Sequence, residues 1–309
     1  MANNSGAFTE AQVISRLREI FATSDPRVEI GIGDDAAVVA AQPRQVMTTD
    51  MAVEGVHFRT DWSTAFEIGR KVTAANAADI LAMGANPDYL LVAVALTGNE
   101  KIEWIEDLAR GIKFEADLAG FQVIGGDLSR SENIVISISA IGHCLRAVTR
   151  SGANVGDEIY LSSLTGWSAA GLAILESGFK TVTDSQSAAV REYKSPTIDY
   201  GFDATGATAM CDVSDALLEQ ATQLADASGV QLKFDEKLIS ESPEFSELNS
   251  VADALNQSVW QLIFAGGEDH VLLATGKKLQ GIRIGEVTAG MGLANIPASV
   301  NQVTWKHFK

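Results

Sequence analysis

Cysteine is scarce in this 309-residue chain: Cys144 and Cys211 are the only two, each inside an apolar run. Two such thiols offer no disulfide framework, and no CxxC or Cys/His cluster has zinc-ligand spacing, so a reducing, cytoplasmic setting is expected. Positive charge is scarce as well, with 23 Lys and Arg against 40 Asp and Glu and a net charge of −17. A surface of that sign repels a phosphodiester backbone and excludes nucleic acid as a partner; it suits divalent cations, or plain solubility. The opening MANNSGAFTE has no apolar signal core, and no run approaches the ~20 apolar residues of a membrane span. The GxxxxGK[ST] phosphate loop and the GxSxG nucleophile turn are both missing. Gly31-Ile-Gly33-Asp-Asp-Ala36 mimics part of a dinucleotide fingerprint, but two aspartates would repel a pyrophosphate there and no helix clearly follows.

What is present is a chain that can build large cores: 46% of it is hydrophobic and only 20% charged. Helical periodicity predicts helices ending near Phe21 behind a Thr9 cap, then over 64–83 behind Ser63, 100–119, 166–176 and 215–227. Two polar helices are expected before residue 208, and a helical stretch up to Leu255. Strands are expected at 36–41, 45–49, 89–97, 121–124, 133–145, 158–161, 208–212, 230–234, 271–275, 282–287 and 300–305. The pattern resets in the Gly/Asn-rich stretch 146–157. This divides the chain into residues 1–146 and 147–309, two α/β or α+β domains.

The chemistry-bearing feature is a set of aspartates: Asp34-Asp35, Asp50, Asp79, Asp127 and Asp212 with Asp215. All but Asp79 are expected where an apolar strand runs into a turn, the usual ligand-binding end of an α/β sheet. Asp79 falls on the inward face of its helix with Val72 and Ala75, where an ionised carboxylate needs a partner or a metal. Singly, each has an ordinary reading: Asp212 or Ser214 as a helix cap, Asp34 and Asp35 as turn acids, Asp79 as a satisfied core carboxylate. Together they are expected to form one hard-oxygen site suited to Mg²⁺.

The runs GIGDDAAV (31–38), TTDMAVEGVHF (48–58), ADILAMGA (78–85), GGDLSR (125–130), TRSGANVGD (149–157), DVSDALLE (212–219) and GGED (266–269) resemble those of thiamine-monophosphate kinases, in the same order and over nearly the whole chain. This family lies within the aminoimidazole-ribotide-synthetase-like ATP-dependent superfamily. The resemblance implies an N-terminal ATP- and Mg²⁺-binding domain that pairs in a homodimer, followed by a C-terminal α/β domain. It implies magnesium ligands at Asp35, Thr48, Thr49, Asp50, Asp79, Asp127, Asp212 and Asp215. ATP contacts are implied at Gly126, Asp127, Arg150 and Ser214, and thiamine-phosphate contacts at His57, Glu268 and Trp305. Asp50, Asp127, Asp215 and Arg150 would carry catalysis. The implied reaction is direct, in-line transfer of the ATP γ-phosphoryl group to thiamine monophosphate.

Two departures from the family pattern stand out. Ala216 occupies a position that is usually Gly, harmless in the first turn of a helix but strained at positive φ. The segment Tyr193-Lys-Ser-Pro-Thr-Ile198 carries one basic residue where the family has a more basic, proline-rich run. The rival readings are another enzyme of the same superfamily, such as an aminoimidazole-ribotide synthetase, or a non-catalytic nucleotide or metal sensor. Selenophosphate synthetases need an N-terminal Cys or selenocysteine, and hydrogenase-maturation relatives end in a reactive Cys; this sequence shows neither.

Overall fold

The computed structural model describes residues 10–32, 37–40, 42, 44–178 and 180–301. The chain forms two compact units, residues 1–80 with 86–144 and residues 81–85 with 145–309. The first contains α1 (Glu10–Ile20), β1 (Val28–Ile30), β2 (Val38–Val39), β3 (Gln45–Val53), α2 (Ala65–Ala82), β4 (Asn86–Leu96), α3 (Ile102–Ala119), β5 (Gln122–Arg130) and β6 (Val135–His143). Strands β3 to β6 make one sheet in the order β3-β6-β4-β5, with β4 and β5 parallel and joined through α3.

Strand alternation decides which side of this sheet is buried. On β6, Ile136, Ile138 and Ala140 are buried while Ser137 and Ser139 between them are not. The opposite face leaves Met47, Met51 and Leu91 exposed. Helix α2 starts with a capping box one residue later than the expected Ser63 cap: Glu67 N donates to Thr64 Oγ1, and Thr64 N donates to Glu67 Oε2. Two glycines let α2 and α3 touch backbone to backbone. A Cβ on Gly69 would lie 2.3 Å from Leu108 O, and one on Gly111 would lie 2.1 Å from Phe66 O.

The second unit contains β7 (Glu158–Leu161), α4 (Trp167–Ser177), α5 (Asp184–Lys194), β8 (Ala207–Val213), α6 (Leu217–Ser228), β9 (Gln231–Phe234), α7 (Glu236–Ser240), α8 (Phe245–Ala254), α9 (Val259–Ala265), β10 (Val271–Gly276), β11 (Ile282–Thr288) and β12 (Gly292–Ala294). Its sheet runs β12-β9-β11-β7-β10-β8, antiparallel except for the β12–β9 pair. Residues Ile159, Leu161, Cys211, Val213 and Leu273 face a large core shared with α4, α6 and α9. Tyr160, Met210 and Leu272 alternate to a smaller core on the other side. Phe234 and Phe264 meet edge to face at 5.0 Å in the large core. Each such side chain contributes about 1.5–3 kcal/mol by burial.

The differences from the sequence expectations have local causes. One helix, α5, stands where two polar helices were expected, and α9 escaped notice because Val259, Leu262, Ile263 and Phe264 bury almost every side of it. Residues 300–301 are not in a strand. The expected Thr9 cap and residues 302–305 lie outside the described residues. Among the described residues, no helix is long and apolar enough to cross a membrane.

Candidate functional site

In the first unit the clearest constellation joins β3 to α2. Thr48 pairs with Ala140 on the buried side of the sheet, and its hydroxyl donates to Asp79 Oδ2 at 2.6 Å. Asp50, two residues further along β3, shares that face and pairs with Ile138. Thr49 points the other way. Its hydroxyl donates to Ile138 O at 3.0 Å and lies 3.2 Å from Ser139 Oγ, so the structure does not bring this side chain to Asp79.

Two expectations about the aspartates need correcting. Asp50 and Asp127 lie within β3 and β5 rather than at strand ends, because the β3–β6 ladder continues to Val53 and the β4–β5 ladder to Arg130. Both strands are edges of the sheet, where polar side chains are tolerated. The second correction concerns a single shared site. Asp50 and Asp127 have two strands between them, about 14 Å at the usual strand spacing. Among the described residues no three His, Cys, Asp or Glu side chains converge on one point. The donors are nonetheless all hard oxygens, and Mg²⁺ is commonly held by one or two carboxylates with phosphate and water completing its shell. A Thr48–Asp79 contact beside Asp50 fits that pattern. Asp35 lies outside the described residues.

Gly126 has a steric reason to be glycine, since a Cβ there would lie 1.9 Å from Val92 O. His57 sits in the turn after β3, where Gly55 adopts φ 82. Its Nδ1 accepts from Val53 N at 3.1 Å, which places the ring proton of the neutral tautomer on Nε2.

In the second unit, Asp212 is buried near the end of β8, and its Oδ2 lies 3.6 Å from His270 Nδ1. Neither Asp212 nor Ser214 caps α6. The N-cap is Ala216, with φ −167 and no side-chain cap. Ala216 is thus extended rather than helical or left-handed, and the family's usual Gly is not required there. Arg150 and Ser214 are linked by a residue that sequence reasoning missed, the buried Gln220. Arg150 Nη2 donates to Gln220 Oε1 at 3.4 Å, and Gln220 Nε2 donates to Ser214 Oγ at 3.5 Å. Its only sequence signal is one polar residue among the apolar positions of α6. Cys211 is buried, and burial pushes its thiol up to about 12, which suits packing rather than nucleophilic work.

The Gly266-Gly267-Glu268-Asp269 turn is drawn onto this loop. Glu268 N donates to Ser214 O at 2.6 Å and His270 N donates to Val213 O at 2.9 Å. Glu268 and His270 both have positive φ, 67 and 54. Such strain is worth roughly 1–3 kcal/mol per residue and persists only where the surroundings enforce it. A Cβ on Gly267 would lie 2.1 Å from Asp215 O, so only glycine allows the close approach. Asp269 is buried and accepts from Gly166 N at 2.7 Å and Ser168 N at 2.9 Å, at the start of α4. Burial pushes its carboxyl up to about 7 against the downward pull of those two amides. Trp305 lies outside the described residues.

Residues 33–144 match the family described as AIR synthase related protein, N-terminal domain. Thiamine-monophosphate kinase of Corynebacterium glutamicum is 39% identical over 270 residues, 83% of this chain and 81% of that one. Thiamine-monophosphate kinase of Archaeoglobus fulgidus is 32% identical over 303 residues, 97% of each chain. Among solved structures, AaThiL complexed with AMPPCP and TMP superposes with a TM-score of 0.80 at 29% identity, covering 97% of both chains. The fold, the order of the motifs and identities of this size over most of both chains place this protein in the thiamine-monophosphate kinase family.

Proposed function

We propose that this chain transfers the γ-phosphoryl group of ATP to thiamine monophosphate, giving thiamine diphosphate and ADP. The observation that carries this reading is the near full-length likeness to thiamine-monophosphate kinases and to a solved chain holding AMPPCP and TMP. Residues 1–146 would bind metal and nucleotide and pair two chains. The exposed Met47, Met51 and Leu91 on one sheet face support the pairing.

The acceptor is a phosphate monoester with a second pKa of about 6, so at neutral pH it is already an anionic nucleophile. No general base is needed. His57 Nδ1, which accepts a main-chain hydrogen bond, is engaged in shaping the turn rather than in taking a proton. The obstacle is repulsion: two unit charges ~4 Å apart repel by roughly 4 kcal/mol at an effective dielectric near 20, and two phosphates carry more. Magnesium, when bound, would offset this charge. Thr48, Asp50 and Asp79 would hold one ion in the first unit, with Asp35 and the main chain at Thr49, and Asp127, on the far edge of the sheet, would hold a separate one. Asp212 and Asp215 would hold magnesium in the second. Gly126, Asp127, Arg150 and Ser214 would bind the nucleotide, with Gln220 orienting the last two. His57, Glu268 and Trp305 would bind the thiamine phosphate. The attacking oxygen then displaces ADP in line, without a phosphorylated enzyme.

The test is product analysis after mixing the protein with Mg²⁺, ATP and either thiamine monophosphate or free thiamine. Thiamine diphosphate should form from the monophosphate, and free thiamine should stay unchanged because its alcohol needs a base. Efficient phosphorylation of free thiamine would overturn the reading.

A further inference from the structure

The GGED turn contains a buried acid that the proposed chemistry leaves unused. Asp269 lies between two residues at positive φ, Glu268 and His270. Both of its carboxylate oxygens are committed, one to Gly166 N and one to Ser168 N. Neighbouring contacts show what this carboxylate secures. The amides of Glu268 and His270 are bonded to Ser214 O and Val213 O, and Gly267 packs directly on the Asp215 carbonyl. The turn is therefore held on one side by the loop after β8 and on the other by the start of α4.

We propose that Asp269 is a positioning residue, which anchors the GGED turn to the amino end of α4 and so fixes Glu268 in the left-handed conformation that presents it to the thiamine phosphate. The geometry gives two reasons. A non-glycine residue at positive φ is uncommon and needs its surroundings to hold it; Glu268 is held by its own amide on Ser214 O and, through the next residue, by the two amide bonds of Asp269. The loop carrying Ser214 and Asp215 has independent support from the β8–β10 pairing and from α6. Loss of the Asp269 anchor should therefore fall on Glu268 and spare the nucleotide contacts. The inference rests on the proposed kinase activity and on the assignment of Glu268 to its substrate.

A double-mutant cycle tests it, with Asp269→Asn, Glu268→Gln and the double variant assayed for KM toward each substrate and for kcat. Asn keeps the shape but has one acceptor oxygen, so one of the two amide bonds is lost. The expected result for Asp269→Asn is a KM for thiamine monophosphate raised about 10-fold, with the KM for ATP changed by less than ~3-fold. In the double variant, the KM for thiamine monophosphate should be no worse than in Glu268→Gln alone, because Asp269 acts through Glu268. Multiplicative effects, equal losses for both substrates, or a silent Glu268→Gln would each overturn the proposal. Should Asp269→Asn fail to fold, Asp269→Ser, a smaller side chain that keeps one hydroxyl acceptor for these amides, takes its place in the same cycle. Turnover by the unmodified protein tests the kinase reading separately. A working kinase with an additive cycle rejects the role of Asp269 alone.

Discussion

Replacing Asp269 by Asn should also change how the stability of the second unit depends on pH. The carboxyl is buried, and burial lifts its pKa from 3.8 to about 7, with Glu192 pushing the same way and the Ser168 and Gly166 amides opposing. The folded chain thus binds more protons than the unfolded chain between about pH 4 and pH 7. Linkage then makes this carboxyl's contribution largest in acid, falling as pH rises through that window. A difference of roughly three pKa units corresponds to about 4 kcal/mol at 1.36 kcal/mol per unit. Asn does not titrate. The stability advantage of the unmodified protein over Asp269→Asn should therefore shrink by a few kcal/mol between pH 5 and pH 8. Acids held low by partners, such as Asp25 beside Arg27 and Glu158 beside Tyr160, give the opposite trend, but they are present in both proteins and cancel. Urea unfolding of both proteins at the two pH values measures the gap. If the two units unfold separately, only the transition of the unit containing β10 should show it. A gap that stays constant would refute the argument. A gap that widens with pH would show that the two amides hold the carboxylate ionised against burial.

Asp50→Asn and Asp127→Asn should each abolish turnover at low millimolar Mg²⁺ while leaving the circular dichroism spectrum and melting temperature nearly unchanged. Asn keeps the shape and loses the charge, so near-normal activity in either variant removes that residue from the metal site. Trp305→Ala should weaken thiamine-monophosphate binding by roughly 2- to 30-fold, the range of an indole–cation contact of ~0.5–2 kcal/mol, and leave ATP affinity little changed. Paired calorimetric titrations decide this, since equal losses for both ligands with a lowered melting temperature would make Trp305 a packing residue.

Much about this protein could be read from local patterns. Alternation along 133–145 announced β6, and helical periodicity announced α2, α3 and α6, because strand and helix periods depend on neighbouring residues only. The motif runs named the family, since motifs are linear. Glycines in those runs can be explained only with the fold in hand. Gly126 and Gly267 are needed because Val92 O and Asp215 O, far away in the sequence, come within 2.1 Å of where a Cβ would be. Grouping of the aspartates was likewise beyond the sequence. The residue types pointed to hard-cation chemistry, but strand order decided that Asp50 and Asp127 sit on opposite edges of one sheet while Thr48 meets Asp79 across 31 positions. The pairing of Gln220 with Arg150, and of Asp269 with the first amides of α4, was similarly invisible, spanning 70 positions in one case and about 100 in the other. Sequence determined the elements and the kinds of chemistry available, because these follow from residue type and short-range periodicity. Tertiary structure decided which of those groups meet, because burial and hydrogen bonding depend on contacts that chain order does not record.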